Sequence, residues 1–472
     1  MPDRYVLAVD QGTSATKCLL VSSSGAVVRS AGAPVPIRYP RPGWVEQDAG
    51  EILASVRRAA AGCLDGLDPA AVVAVGLSTQ RESAVVWDRR TGAPAGPVLG
   101  WQDRRAHTVC DGLREKGYAD RILQISGLPL DPMFSAAKVR WLLDRTPDAV
   151  AGTVDAWLLH ALTGAHRIEL GNASRTQLLD VATGTWSAEL LDLFGVPAGA
   201  LPELIPSAGD LGRIGPAGGV LAGRPVTAVL GDSHAALLAH GPRAAGGVKV
   251  TYGTGSSVMR LTGGEPLDPR VCRTIAWADP AVRHAAEGNI RSSGSTVAWV
   301  ADLLGTDPDR IAALAVEAGS DGVHLVPAFG GLAAPWWDDT ATGTITGLTL
   351  GTRAPHLARA AVESIAHQVA DVVEAMGSGG CLLADGGAAA NDHLMQIQAD
   401  LLGVPVKRAR TGNLSALGAA HLAGRAAGLW PDAGPPTAVD YDDFRPGPSS
   451  DAASRRAAWR DAVHRTLQKK EM

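Results

Sequence analysis

Residues 5–22, YVLAVDQGTSATKCLLVS, decide the fold, because they have the pattern of a β-hairpin with a polar turn. Residues 5–10 are an apolar strand, residues 11–14 form the turn, and residues 17–22 are a second strand. Small and hydroxyl residues in such a turn can present backbone N–H groups to phosphate oxygens. A motif this short also fits an ordinary tight turn, so both interpretations stay open from this stretch alone.

Four side chains near this turn carry groups that a nucleotide could use. Thr13 and Ser14 would add hydroxyl donors to the backbone N–H groups, and Lys17 would add a positive charge. Asp10, at the end of the first strand, could hold a hydrated Mg²⁺ ion, because Mg²⁺ is usually bound by one or two carboxylates together with phosphate oxygens. The turn is therefore a candidate phosphate site, with Asp10 as its candidate metal ligand.

Two further glycine-rich turns lie in the second half of the chain. Residues 250–257, VTYGTGSS, again place Gly-Thr after an apolar strand, and Thr254 could donate to a phosphate. Residues 384–392, ADGGAAAND, end a strand in Gly-Gly before a helix, a setting for a nucleotide at a helix N-terminus. The first strand is not followed by GxGxxG, which disfavours a dinucleotide-dependent dehydrogenase. The repeated Gly-Thr turn predicts two copies of one fold, facing each other across a cleft.

Apolar segments of strand type alternate with helical stretches along the chain, which predicts an α/β protein. The clearest helix covers residues 356–376, where apolar residues recur at helical spacing. A chain of 472 residues is too long for one ordinary core, so we expect two domains. The Gly-Pro pair at 241–242 marks the boundary, giving an N-terminal domain of residues 1–241 and a C-terminal domain of residues 242–472. Further strands are predicted at residues 72–78, 226–231, 247–252, 323–329 and 382–385.

Composition excludes several classes of function. The formal net charge of -5 and the absence of a Lys/Arg run argue against a nucleic-acid partner. No segment approaches the roughly 18 consecutive apolar residues of a membrane span, and the N-terminus lacks the zones of a signal peptide. The five cysteines are scattered and form no CxxC pair, so we expect a protein of the reduced cytosol, without a cysteine-ligated metal.

The order of these motifs resembles that of the FGGY carbohydrate kinases, and within them the glycerol kinases. The resemblance extends from Asp10 to about Trp430. The matching stretches include PGWVEQD (residues 42–48), QRE (80–82), WQDRR (101–105), DPMFS (131–135), TVDAWL (153–158), NASRT (172–176), GD (231–232), GTG (253–255), APWWD (334–338) and DGGA (385–388).

The resemblance implies an actin-like, ribonuclease-H-like duplicated α/β fold with two lobes and the active site in the cleft between them. It implies ATP and Mg²⁺ as cofactors, a small polyol or sugar as substrate, and a homo-oligomer such as a dimer or tetramer. Asp232 would take the proton of the attacking hydroxyl as a general base, a role that suits a carboxylate after an apolar strand. The positions that match nucleotide contacts of the family are Thr254, Gly294, Gly387 and Asn391.

Arg81 and Glu82 match the pair that binds the polyol hydroxyls in glycerol kinases, where a donor fork lies beside an acceptor. Trp101 matches an aromatic wall of that pocket. Three substrate positions depart from the family pattern: Met133 replaces a tyrosine, Ser233 a glutamine and Arg291 an aromatic residue. Arg291 could enter the pocket or turn away to a surface carboxylate.

These three departures leave the chemical identity of the acceptor undecided. Glycerol stands first because of the Arg-Glu pair, and the alternative is a four- or five-carbon polyol, a ketose or a sugar acid. An actin-like nucleotide-dependent scaffold would keep the phosphate turns but would need neither Asp232 nor the Arg81-Glu82 pair.

Overall fold

The protein is described by a computed structural model that covers residues 4–377, 379–431, 439–448 and 451–467. The chain forms two compact units. Unit 1 comprises Met1–Gly241, Arg273–Ala285 and Asn413–Ala438, and unit 2 comprises Pro242–Cys272, Ala286–Gly412 and Val439–Met472. The main crossing lies at the Gly-Pro pair, and the chain later returns twice to unit 1. The division into domains 1–241 and 242–472 stays a prediction.

The strands are β1 (Tyr5–Gln11), β2 (Ala15–Ser22), β3 (Val27–Pro34), β4 (Glu46–Gln47), β5 (Val72–Thr79), β6 (Ala84–Asp88), β7 (Val98–Leu99), β8 (Ala149–Thr153), β9 (Arg167–Glu169), β10 (Leu179–Asp180), β11 (Thr185–Trp186), β12 (Glu203–Ile205), β13 (Val226–Gly231), β14 (Gly247–Tyr252), β15 (Ser256–Thr262), β16 (Cys272–Ala278), β17 (Val282–Ile290), β18 (His324–Val326), β19 (Thr344–Thr346), β20 (Cys381–Asp385), β21 (Val406–Ala409) and β22 (Tyr441–Phe444). The helices are α1 (Ala49–Leu64), α2 (His107–Glu115), α3 (Ala119–Ser126), α4 (Ser135–Leu143), α5 (Val154–Thr163), α6 (Leu170–Ala173), α7 (Ala188–Phe194), α8 (Asp232–Ala239), α9 (Gly294–Leu303), α10 (Pro308–Leu314), α11 (Ala354–Ala375), α12 (Asp392–Leu402), α13 (Leu414–Ala426) and α14 (Ala452–Leu467). Short 3₁₀ turns cover Pro69–Ala71, Ala198–Ala200, Pro216–Leu221, Gly241–Ala245 and Gly387–Ala390.

The main sheet of unit 1 has the order β13-β5-β1-β2-β3. The predicted hairpin is confirmed: β1 runs antiparallel to β2, and Asp10 lies opposite Lys17. On its other side β1 runs parallel to β5, and β5 runs parallel to β13. The strands β1, β5 and β13 therefore end at the same edge of the sheet. Asp10 lies near the end of β1, Arg81 follows the end of β5, and Asp232 follows the end of β13.

Helix α13 packs against β1, β5, β13 and α8. Glycines allow this close packing: a Cβ atom on Gly76 would lie 2.4 Å from the carbonyl oxygen of Ala419, and one on Gly418 would lie 1.8 Å from that of Ala235. Real Cβ atoms do not approach so closely, so both positions require the absence of a side chain. The return of the chain to unit 1 thus completes the layer that supports α8.

In unit 2, the strands β15, β14, β20, β21 and β22 are neighbours in one sheet, in that order. Its centre repeats the strand directions of unit 1, because β14 is antiparallel to β15 and parallel to β20, while β20 is parallel to β21. The run β21-β20-β14-β15 therefore corresponds to β13-β5-β1-β2, and the predicted duplication is confirmed. The long helix α11 buries apolar residues such as Ile365 and Val369 against this unit's core.

One predicted strand is longer than the observed one. Residues 323–329 form only the short strand β18, which ends at Val326 and pairs with β19. Pro327 follows directly and has no N–H group to continue the ladder. Among the described helices, none is long and apolar enough to cross a membrane.

Candidate active site

The turn between β1 and β2 is closed by a hydrogen bond from the Gly12 N–H to the Ala15 carbonyl oxygen, at 3.0 Å. Thr13 is half-buried, and its Oγ1 accepts a hydrogen bond from Trp101 Nε1 at 3.0 Å. The indole therefore lies beside the turn, and its role as a wall of the acceptor pocket stays a prediction. Ser14 is exposed. Lys17 is also exposed, and its Nζ donates to Asn413 Oδ1 at 3.0 Å, within unit 1.

Asp10 lies at the end of β1, and its Oδ1 accepts a hydrogen bond from Ser78 Oγ at 2.8 Å. Burial raises the pKa of Asp10 to about 7, although the Ser78 hydrogen bond lowers it, and the negative charge of Asp232 raises it further. The two carboxylates thus act on each other across the sheet edge. A divalent cation beside Asp10 would offset this repulsion and favour the ionised form.

Asp232 is the first residue of α8 and directly follows β13. Its Oδ1 accepts a hydrogen bond from Arg81 Nε at 3.2 Å and one from the Ser233 N–H at 2.6 Å. The side chain of Arg81 is 3% exposed, whereas that of Asp232 is 37% exposed. The buried guanidinium therefore holds an accessible carboxylate in a fixed orientation.

Gly231 makes room for this pair. A Cβ atom there would lie 2.4 Å from Cδ of Arg81, so a larger residue would displace the arginine side chain. The guanidinium of Arg81 also donates from Nη1 to His234 Nε2, at 3.4 Å, on the first turns of α8. Arg81 is thus anchored to α8 at two points.

Glu82 is buried and has a φ of 61°, in the left-handed region that residues other than glycine rarely adopt. Its Oε1 accepts a hydrogen bond from Arg175 Nε at 2.6 Å, and its carbonyl oxygen accepts one from Ser135 Oγ at 3.0 Å. The side chains of Arg175 and Glu82 are 0% and 7% exposed. The unusual backbone conformation is therefore held by two hydrogen bonds, one to the side-chain carboxylate of Glu82 and one to its carbonyl oxygen.

Met133 is buried in the segment before α4. Its N–H donates to Asp131 Oδ1 at 2.8 Å, and its carbonyl oxygen accepts a hydrogen bond from the fully buried Lys138 Nζ. Burial lowers the pKa of Lys138 to about 8, although Glu82 and nearby carboxylates raise it. Ser233 is buried on α8.

The other candidate nucleotide residues, those matched through the family resemblance, lie in unit 2. Thr254 is exposed in the turn between β14 and β15, and its carbonyl oxygen accepts a hydrogen bond from the Ser293 N–H at 2.9 Å. Gly294 begins α9, and its N–H donates to the Gly253 carbonyl oxygen at 3.0 Å. A Cβ atom on Gly294 would lie 2.8 Å from that oxygen, so the two turns can approach only through glycine.

Gly387 and Asn391 lie in a separate turn of unit 2, between β20 and α12. Gly387 is exposed with open space around its Cα, and Asn391 caps α12 by accepting a hydrogen bond from the Leu394 N–H at 3.0 Å. Arg291 also belongs to unit 2, and its Nη1 donates to the Gly330 carbonyl oxygen at 2.5 Å. Its placement in an acceptor pocket stays a prediction.

Within unit 1 the structure brings together four of the predicted residues: Asp10, Asp232, Arg81 and the neighbouring Glu82. Thr13 and Trp101 form a second pair, joined by a hydrogen bond. The sequence does not indicate which groups contact these residues. Ser78 hydrogen-bonds to Asp10, Arg175 hydrogen-bonds to Glu82, and Gly231 leaves room for the Arg81 side chain. Arg175 lies in the family stretch NASRT, but nothing in the sequence indicates that its side chain meets Glu82, which is 93 positions away.

Glu169 is another buried group that the sequence did not single out. It precedes α6 and caps it, since Oε1 accepts from the Gly171 N–H at 2.8 Å and Oε2 from the Asn172 N–H at 2.8 Å. Ser207 Oγ donates to Oε1 as well. Burial raises the pKa of Glu169 to about 7, although these hydrogen bonds lower it. The helix that leads to Arg175 thus begins at a titratable cap.

We expect this cap to make stability depend on pH. Because burial raises the pKa of Glu169 above its unfolded value, the folded chain binds more protons than the unfolded chain between about pH 4.5 and pH 7. The free energy of unfolding contributed by this residue therefore falls as pH rises through that window. Denaturant titrations from pH 4 to pH 8 should show wild type losing stability relative to Glu169→Gln. If the stabilities of wild type and Glu169→Gln change with pH in parallel, the raised pKa of Glu169 is contradicted. Glu203→Gln is the control, because Glu203 is an exposed glutamate of β12.

Comparison with known proteins shows which family the chain resembles in sequence. Residues 5–239 match the N-terminal domain, and residues 248–427 the C-terminal domain, of the FGGY family of carbohydrate kinases. The chain is 42% identical to a glycerol kinase of Alkalilimnicola ehrlichii, with 98% of each chain covered. It is 43% identical to a glycerol kinase of Chromobacterium violaceum, with 91% of each covered.

Solved structures of the same family have the same fold. The glycerol kinase of Plasmodium falciparum with ADP aligns with a TM-score of 0.88 at 26% identity, covering 99% of both chains. The xylulose kinase of Rhodospirillum rubrum aligns with a TM-score of 0.85 at 27% identity, covering 98% of this chain and 99% of that one. The actin-like, two-domain α/β fold expected from the sequence is therefore confirmed, and the chain belongs to the FGGY family of carbohydrate kinases.

Proposed function

We propose that the chain transfers the γ-phosphoryl group of ATP to a hydroxyl of glycerol or a related small polyol. The observation that carries this proposal is the accessible Asp232 carboxylate, held by the buried Arg81 at the sheet edge where Asp10 also lies. Relatives that are 42% and 43% identical over nearly the full chain are named glycerol kinase, which supports the same acceptor class.

Asp232 acts as the general base in this proposal. An alcohol is a poor nucleophile near neutral pH, and a carboxylate in hydrogen-bond reach orients it and accepts its proton during transfer. The hydrogen bonds from Arg81 and from the Ser233 N–H both go to Oδ1. This arrangement leaves Oδ2 as the oxygen to which the hydroxyl proton would move.

Arg81 and Glu82 bind the hydroxyls of the acceptor, with Arg81 as donor and Glu82 as acceptor. Trp101 forms the apolar wall, since its indole N–H is fixed on Thr13 and its ring lies next to the phosphate turn. Met133 and Ser233 line the same pocket. Arg291 is the residue through which a sugar acid would be distinguished from a neutral polyol.

ATP would be held through its phosphates by the turn of Thr13 and Ser14 and by the charge of Lys17. In unit 2, the turns that contain Thr254, Gly294, Gly387 and Asn391 would contact the nucleotide. Mg²⁺ would be held by Asp10 together with phosphate oxygens and water, and it supplies charge neutralisation on the phosphoryl group. Asp10 fits this ion as a hard oxygen ligand, and the charge of the ion would offset the repulsion between Asp10 and Asp232. Among the described residues there is no cluster of three or more metal-ligating side chains, so phosphate and water would supply the remaining ligands.

A larger acceptor is the second candidate. Where family members that use glycerol carry tyrosine and glutamine, this chain has Met133 and Ser233, and the shorter serine leaves additional space. A four- or five-carbon polyol or a ketose would fill it.

The test is an ADP-release assay with Mg·ATP over glycerol, tetritols, pentitols, ketoses and sugar acids. We expect release that depends on the acceptor, with glycerol among the best. If only a sugar acid supports release, the acceptor assignment is wrong but the kinase assignment stands. If no acceptor supports release and ATP induces sedimentable filaments, the actin-like scaffold is the better description.

Met133→Tyr tests the wall of the acceptor pocket. A tyrosine would add a flat ring and a hydroxyl next to the acceptor, and one neutral hydrogen bond changes affinity by roughly 10-fold. We therefore expect a KM for glycerol lower by up to about 10-fold, with an unchanged KM for ATP. Met133→Leu, which preserves the volume without a hydroxyl, is the control. Unchanged glycerol kinetics in the tyrosine variant would place residue 133 outside the pocket.

A further inference from the structure

A fully buried cation, Arg175, contacts the Glu82 carboxylate of the proposed acceptor pair. The Arg175 side chain is 0% exposed and donates from Nε to Glu82 Oε1 at 2.6 Å. Its guanidinium also lies over the ring of Phe134, with Cζ 5.1 Å from the ring centroid. The arginine is therefore fixed by an ion pair on one side and by an aromatic face on the other.

The segment that carries Arg175 is itself held on buried polar contacts. Helix α6 is capped by Glu169, and Ser174 Oγ hydrogen-bonds to Thr274 Oγ1 at 2.7 Å. The carbonyl oxygen of Thr176 accepts a hydrogen bond from the Ala136 N–H at 2.8 Å, which ties this segment to α4. Arg175 thus projects from a segment that hydrogen bonds hold on both sides of it.

Glu82 needs such support, because its backbone is in the left-handed region and its carboxylate is buried. A buried carboxylate is costly unless it is paired, and removing its partner leaves an uncompensated charge. The pairing also selects one rotamer of Glu82. From these contacts we propose that Arg175 is the positioning residue of the acceptor site, which holds the Glu82 carboxylate in the orientation that receives the acceptor hydroxyls. This inference rests on the proposed function, because it assigns a role relative to the acceptor.

The test separates action through Glu82 from a general effect on folding. In Arg175→Met, which keeps an apolar side chain against Phe134, we expect kcat/KM for the acceptor to fall by roughly 10- to 100-fold, with the KM for ATP unchanged. In a Glu82→Gln background the same change should have little further effect, since the group that Arg175 positions is already altered. If instead the two losses multiply, Arg175 does not act through Glu82 and the proposal is overturned.

Two further variants keep the test decisive. Arg175→Lys retains the charge but not the geometry of the guanidinium, so it should recover part of the acceptor kcat/KM lost in Arg175→Met. If the methionine variant does not fold, a lysine variant with wild-type acceptor kinetics would overturn the proposal by itself. Arg456→Met is the matched control, because Arg456 of unit 2 is also buried and ion-paired, to Asp371 and Glu374. Failure of wild type with every acceptor would instead refute the proposed function.

Discussion

Asp232→Asn should reduce turnover by on the order of 10²–10⁴-fold while leaving nucleotide binding intact. The amide oxygen can still accept the hydrogen bonds that now come from Arg81 and from the Ser233 N–H. The amide cannot take a proton from the attacking hydroxyl, and it also removes the negative charge that pairs with Arg81. Because α8 begins at this residue and its backbone contacts are unchanged, the variant should fold like wild type.

The measurement is steady-state turnover together with calorimetric titration of ADP. Asp120→Asn is the matched control, because Asp120 is also an aspartate in the first turn of a helix, α3, and is exposed. It should keep wild-type turnover. Near-normal turnover in Asp232→Asn would show that the carboxylate is not the base.

Gly418→Ala should strongly destabilise unit 1, although it adds only one methyl group. The added Cβ atom would lie 1.8 Å from the carbonyl oxygen of Ala235, a backbone atom that cannot move independently of α8. Overpacking of this kind typically costs about 1–3 kcal/mol, and a backbone collision puts this case at the upper end. Because α8 carries Asp232, we also expect turnover to fall in the molecules that remain folded.

The measurement is thermal unfolding followed by turnover at a temperature where the variant is folded. A loss of about 3 kcal/mol would lower Tm by roughly 5–10 °C for a unit of this size. Gly112→Ala is the control, because Gly112 lies in helix α2 with open space around its Cα atom. The control should be neutral or slightly stabilising. A Gly418→Ala protein with wild-type Tm would mean that α13 and α8 are not in contact through this glycine.

Local signals were sufficient to predict much of the fold. The apolar runs at β1, β13 and β14 have sharp polar or glycine ends, so their bounds were predicted to within a residue. The same signal placed Asp232 at a strand end. It failed for β18, where an apolar stretch continues past Pro327 although the ladder cannot.

The supporting contacts could not be predicted, because they join residues far apart in sequence. No local sequence pattern indicates that Arg175 contacts Glu82. Likewise, none indicates that position 418 requires glycine because Ala235 packs against it. Nor could the sequence show that residues 413–438 return to unit 1, since strand and helix patterns do not reveal which sheet a helix covers. Family resemblance supplied the candidate site residues, and the structure supplied the groups that orient those of unit 1.

The central claim is transfer of a phosphoryl group to a polyol hydroxyl, and ³¹P NMR of the reaction mixture tests it most directly. With Mg·ATP and glycerol, we expect a phosphomonoester resonance that grows in step with ADP, and no growth of either with the Asp232→Asn protein on the same time scale. Formation of ADP with inorganic phosphate alone, at a rate that does not depend on any polyol or sugar, would contradict the account.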